Sequence, residues 1–243
     1  IRLAHFHHTL LLFLELNTMI SQEQRVQSSI ALNEAGKRNA PLEADLSSEK
    51  PQQKKQKLIH KKNIVIRPSE YAFAAFRANG VDIKDVRAKT TEKFIVPSQD
   101  MVDAYTAEVL EAVRNNKLDK LKEMHKESKL LVNACNKFGD SLLHLACRRS
   151  YTDIVEFLIK DLKVNVNIRD DYHRTPLHDA TWTVEPNFEL VHLLIKECPE
   201  HLLMKDVRGF TPFDYVRDHD WGKWLRFLWE RKAMLRPKEL SSE

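Results

Sequence analysis

Glycine is scarce in this chain, 5 in 243 residues, and neither G-x-x-x-x-G-K-[ST] nor G-x-G-x-x-G occurs. That removes the glycine-rich loops that cradle nucleotide phosphates. Cysteine is scarcer: Cys135, Cys147 and Cys198 are an odd number with no C-x-x-C among them, which points to free thiols in a reducing compartment. A zinc set of Cys135, His144 and Cys147 has no spacing that matches a closed site. No apolar run approaches the ~20 residues of a membrane span. Leu10-Leu11-Leu12-Phe13-Leu14 ends at Glu15, and Asn17-Thr18-Met19-Ile20 behind it makes a poor cleavage site for a secretory signal. A strong charge of one sign is also missing. The net charge is +4, and its excess lies in residues 1–100, with 16 Lys+Arg against 11 Asp+Glu; residues 101–243 carry 23 against 24. A fold that grips nucleic acid would carry the positive field itself.

What is present is repetition. Arg174-Thr175-Pro176-Leu177-His178-Asp179-Ala180 recurs in degraded form as Ser141-Leu142-Leu143-His144-Leu145-Ala146 and Thr211-Pro212-Phe213-Asp214-Tyr215-Val216. Anchoring on Thr175, the matching positions are Ala107, Ser141 and Thr211, and five residues past them stand Ala112, Ala146, Ala180 and Val216. Second helices align too: Ile154–Lys160 matches Leu190–Lys196, delayed by an insertion at 183–187. Asn136, Asp170 and Asp206 precede tight turns at Gly139, His173 and Gly209, where a positive φ is needed and His173 is the exception to glycine. The phrase T-P-L-H-x-A at a period near 33 is the mark of ankyrin repeats, and the chain resembles that family over about Val102–Lys232. In detail it is similar to stand-alone ankyrin proteins of microalgae.

The resemblance implies an all-α solenoid of about four helix-turn-helix units over 98–232, its terminal units atypical. It also implies that His144 and His178 are structural. Upstream, 64–97 has helical patterning and is expected to fold over the first unit as a cap. Ser98 is expected to start one long helix running through Val113. Residues 1–63 are polar and poor in aromatics, a disordered arm, with Met19 a candidate natural start and 1–18 then outside the native chain. Residues 233–243 read as a disordered tail. Within the arm, Lys54, Lys55, Lys57, Lys61 and Lys62 form a candidate nuclear localisation signal.

No nucleophile, base and orienter come together in the sequence, so an enzyme is not expected. Nor is a cofactor, a metal or a small-molecule substrate. The expectation is a monomeric adaptor that binds another protein, placed in the cytoplasm with the nucleus as second compartment, making no membrane contact and not built for nucleic acid. Its contact residues are the turn tips and inner-helix ends: Lys137, Phe138, Asp140, Arg148, Arg149, Asp171, Tyr172, Arg174, Trp182, Val207, Arg208 and Phe210. Arg148, Arg149, Arg174 and Arg208 would make a basic stripe there, able to fork onto carboxylate or phosphate. The competing role is a nuclear regulator whose basic arm serves import or nucleic-acid contact.

Overall fold

A computed structural model describes residues 66–127 and 133–238; the lysine cluster at 54–62 lies outside them. Two helices come first, α1 (Pro68–Ala78) and α2 (Ile83–Glu92). Proline at the first helical position needs no amide partner there, and Asn79 with Gly80 at φ 74° ends α1. Asp82 caps α2 by accepting from Lys84 N at 2.8 Å. The single long helix expected from Ser98 is broken in two, α3 (Gln99–Asp103) and α4 (Ala107–Arg114). The cause is a second cap: Thr106 Oγ1 accepts from Val109 N, so α4 starts afresh.

The units then stack. The first pairs α4 with α5 (Leu118–Lys126). The second pairs α6 (Leu142–Arg148) with α7 (Thr152–Glu156), which continues through one π-helical turn, Phe157–Asp161. The third pairs α8 (Pro176–Thr181) with α9 (Phe188–Glu197), followed by a 3-10 segment, Pro199–Leu203. In the fourth the inner helix is reduced to a 3-10 turn, Pro212–Tyr215, before α10 (Trp221–Glu230). Val216 leaves that turn in extended conformation, and the Tyr215 phenol donates to the Asp206 carboxylate. Inner helices meet face to face, α6 on α8 and α8 on Pro212–Tyr215. The slots Ala112, Ala146 and Ala180 are buried between them, as close packing of helices requires. Among the described residues the only strand-like pairing is one isolated bridge, Cys135 to Ser141.

The upstream cap lies at the other end from the one expected. Helix α1 packs on α10 and on Pro212–Tyr215, and α2 packs on Pro199–Leu203. Arg87 Nε donates to Leu203 O at 2.6 Å, and Asn79 Nδ2 to Leu235 O at 3.1 Å. The reason is apolar surface. Tyr71 and Phe76 on α1 are fully buried there, and the reduced fourth unit leaves Phe213 and Trp224 to be covered. From α2 the chain runs back along the linkers between units. Phe94 stacks on His201, Ile95 N donates to Asn167 O at 2.9 Å, and Met101 O accepts from Cys135 N at 3.1 Å. The N-terminal hairpin is thus a final layer on the last unit, tied to the first unit by a strap.

Nor is 233–238 a loose tail. Leu235 is buried, its carbonyl accepts from Asn79 Nδ2, and Lys238 N donates to Glu200 Oε1 at 2.8 Å.

Candidate functional site

The inner segments of the second, third and fourth units are each started by a reciprocal cap. Ser141 N donates to His144 Nδ1 at 3.2 Å, and Thr175 N to His178 Nδ1 at 3.0 Å. With Nδ1 accepting, the ring proton belongs on Nε2, which faces the next unit: His144 Nε2 lies 3.0 Å from Arg174 O and His178 Nε2 3.3 Å from Phe210 O. In the fourth unit Asp214 takes the histidine's place, accepting from Thr211 N at 2.8 Å. Among the described residues no further hairpin follows for an imidazole to reach.

Burial pushes His178 down to about 4, and His201 to about 3. Both are therefore neutral in the fold, while in the unfolded chain each protonates near pH 6.5. Such groups contribute stability that is complete above pH 6.5 and lost as pH falls toward the folded value. Each imidazole should remove roughly 3 kcal/mol by pH 4. The carboxylates held low, Asp206 and Asp214, add their loss only below their ordinary range near pH 4. Chemical denaturation is therefore expected to show stability declining between pH 6.5 and 4.5, with a shallower decline in His201→Asn.

Between capped helices the hairpins project. Asn136 Oδ1 accepts from Phe138 N and Asp140 N, and Asp206 Oδ1 from Arg208 N and Phe210 N, so an Asx side chain shapes each turn. Gly139 has φ 79°, Gly209 φ 86° and His173 φ 59°, so the histidine adopts the turn its neighbours make with glycine. Only at Gly139 is space also limiting, since a Cβ there would stand 2.4 Å from Arg169 O. Neighbouring tips are joined by single backbone bonds, Asp171 N to Phe138 O at 2.8 Å and Val207 N to Tyr172 O at 3.0 Å.

The expected contact residues fall into two groups on this edge. Phe138, Tyr172, Trp182, Val207 and Phe210 are about half exposed, a row of apolar side chains on a rigid hairpin ladder. Lys137, Asp171 and Arg149 are exposed beside them. Three of the four arginines of the basic stripe, by contrast, are neutralised within the fold. Arg148 bonds Asp140 at 2.8 Å and the buried Asp179 at 2.7 Å; Arg174 bonds Asp170 at 2.6 Å; Arg208 stands 3.6 Å from Asp206 and bonds Tyr215. The same guanidiniums lie over the row: Arg174 over Tyr172 at 5.1 Å, Arg208 over Phe210 at 5.6 Å. Arg148, Asp140, Arg174 and Arg208 thus shape the surface more than they offer charge to it.

Tyr215 was not among the expected residues. Its ring lies 5.5 Å from Trp182 and 6.0 Å from Phe210, and links them into one patch. The signal was its place in the degraded phrase, the variable position that Asp179 fills one unit earlier. Among the described residues no group of three His, Cys, Asp or Glu could hold a metal ion, and no helix is long and apolar enough to cross a membrane.

Stacked two-helix units, the second and third each aiming a histidine Nε2 at a carbonyl of the next hairpin, define a helical repeat protein with an exposed edge. Residues 109–212 match the family model for ankyrin repeats, three copies, and this part of the chain is an ankyrin-repeat array. As a class these repeats are protein-interaction modules that offer an extended surface. A stretch of 85 residues is 31% identical to the SMC5-SMC6 complex localization factor protein 1 of Bos taurus, covering 35% of this chain and 8% of that protein. The chain therefore spans less than a tenth of the length of this relative.

Proposed function

We propose that this protein is a non-enzymatic, monomeric adaptor that holds a partner protein against the hairpin edge. The observation that carries the reading is the row Phe138, Tyr172, Val207, Phe210 and Trp182, half exposed on a backbone already fixed by inter-tip hydrogen bonds. Aromatic anchors on rigid supports are the side chains that dominate interface energies, and preorganisation lowers the ordering cost of binding. Lys137, Asp171 and Arg149 supply the polar rim. The name of the relative, a complex localization factor, is in keeping with such a role.

Replacing Phe138, Tyr172 and Trp182 together by serine is expected to weaken partner capture at least ~tenfold, as hot-spot truncation does, with the melting temperature within a few degrees of wild type. Partners retrieved from lysate and identified by mass spectrometry would be compared between the two proteins. Unchanged capture would remove this surface from consideration.

The second reading, a nuclear regulator, is favoured by the cluster Lys54, Lys55, Lys57, Lys61 and Lys62. A fluorescent fusion lacking 54–62 should then leave the nucleus; an unchanged distribution argues against import through the arm.

A further inference from the structure

Away from the hairpin edge, Phe188 of α9 and residues of α10 through Arg231 line a basin of about 410 Å³. Its floor is aromatic: Phe188 and Phe227 stack with centroids 5.4 Å apart and planes 23° from parallel. The insertion at 183–187 sets this floor, because Asn187 caps α9 and so puts Phe188 at its first position, 4.8 Å from the buried Trp224. The walls are cationic. Arg231 lies 4.3 Å over Phe227, Lys223 is bonded to Asp220, and Arg226 is exposed with no ion pair among the described residues. Glu230 is the single carboxylate of the lining, and Arg231 engages it at 3.2 Å. Behind Arg231, burial first and then Arg231 and Lys196 hold His192 below its ordinary value, and its Nδ1 accepts from Arg231 Nε at 3.3 Å.

The geometry points to a second recognition site in this basin, for an acidic peptide segment of a partner protein that carries an aromatic or large apolar side chain. The apolar side chain would lie on Phe188 and Phe227, and a flanking carboxylate would meet Arg226. The free guanidinium is the determining feature, since a planar fork is suited to a carboxylate. Gly222 at the rim gives an independent handle. A Cβ there would meet nothing within 4 Å, so a side chain can be attached at this rim position without a clash at Cβ and with better helix propensity than glycine.

The test uses the full chain and a fluorescein-labelled peptide of alternating glutamate and phenylalanine, read by anisotropy. Controls are the same peptide with lysine for glutamate, a labelled single-stranded oligonucleotide and anionic phospholipid vesicles. The acidic peptide is expected to bind and the basic one not. Arg226→Glu should weaken binding at least ~tenfold, given that reversing a partnered charge adds repulsion to the lost attraction. Gly222→Leu should weaken it similarly while raising the melting temperature, and the Phe138, Tyr172 and Trp182 serine variant should bind as wild type. The assignment is overturned if the acidic peptide does not bind, if Arg226→Glu leaves binding unchanged, if the loss falls on the hairpin variant instead, or if the oligonucleotide or vesicles bind more tightly than the peptide.

Discussion

Replacing Phe76 with alanine is expected to loosen the opposite end of the chain. Phe76 is fully buried on α1, which packs on α10 and on Pro212–Tyr215. Truncating a buried phenylalanine costs about 3–5 kcal/mol through lost burial and the cavity left behind. In a repeat array each layer answers mainly to its neighbours, and here the neighbour of the last layer is the N-terminal hairpin. Amide hydrogen exchange should therefore accelerate most in α10, more than 140 residues downstream, and least in α4 and α5 of the first unit. If α4 and α5 lose protection first, α1 is serving the first unit, as its sequence position suggests. Exchange that rises evenly through the whole array would mean that the strap makes the stack a single cooperative body.

That contrast marks how far the sequence could be read. The inner helices were legible because T-P-L-H-x-A has a chemical reason at each position: a cap, an N1 proline, a core leucine, a bridging histidine and a small residue at the helix contact. Ser141, Thr175 and Thr211 stand as caps, Ala112, Ala146 and Ala180 are buried, and Gly139, His173 and Gly209 all take positive φ. The apolar edge was legible for the complementary reason: Phe138, Tyr172 and Trp182 stand where the repeat demands no apolar side chain. What periodicity could not supply is which end a flanking hairpin covers. Proximity in sequence favours the first unit, but burying Phe213 and Trp224 of the reduced fourth unit is a tertiary gain that no local pattern encodes. Ion pairing was hidden in the same way. Arg148 and Asp179 lie 31 residues apart and meet only once two units are stacked at the right distance.

Arg148→Ala is expected to be the most damaging single surface-looking change. Its guanidinium spans two units, holding Asp140 of its own and Asp179 of the next. Burial alone would lower its affinity for the proton, yet these two carboxylates hold it above its ordinary range. Asp179 is the sensitive partner. Its side chain is wholly buried, its Oδ1 has no hydrogen-bond partner, and burial raises its carboxyl against the opposing influence of His144, Arg148 and Arg174. Breaking such a pair strands a buried charge, a loss of about 3–5 kcal/mol. The sign of the pH dependence follows from which group is stranded. Without Arg148 the folded Asp179 prefers to be protonated, whereas in the unfolded chain it ionises near 4. The deficit of the variant relative to wild type should thus be greatest at neutral pH and shrink as pH falls toward 5. Asp179→Asn placed in the Arg148→Ala background should restore a large part of the stability, and a double-mutant cycle in urea would measure the coupling. Equal losses at pH 7.5 and pH 5, with no rescue by asparagine, would mean that Arg148 acts through packing of its alkyl stem alone. In either case an Arg148 variant that fails to capture a partner reports on the fold before it reports on the interface, which is why the hairpin aromatics are the side chains to change when the binding edge is in question.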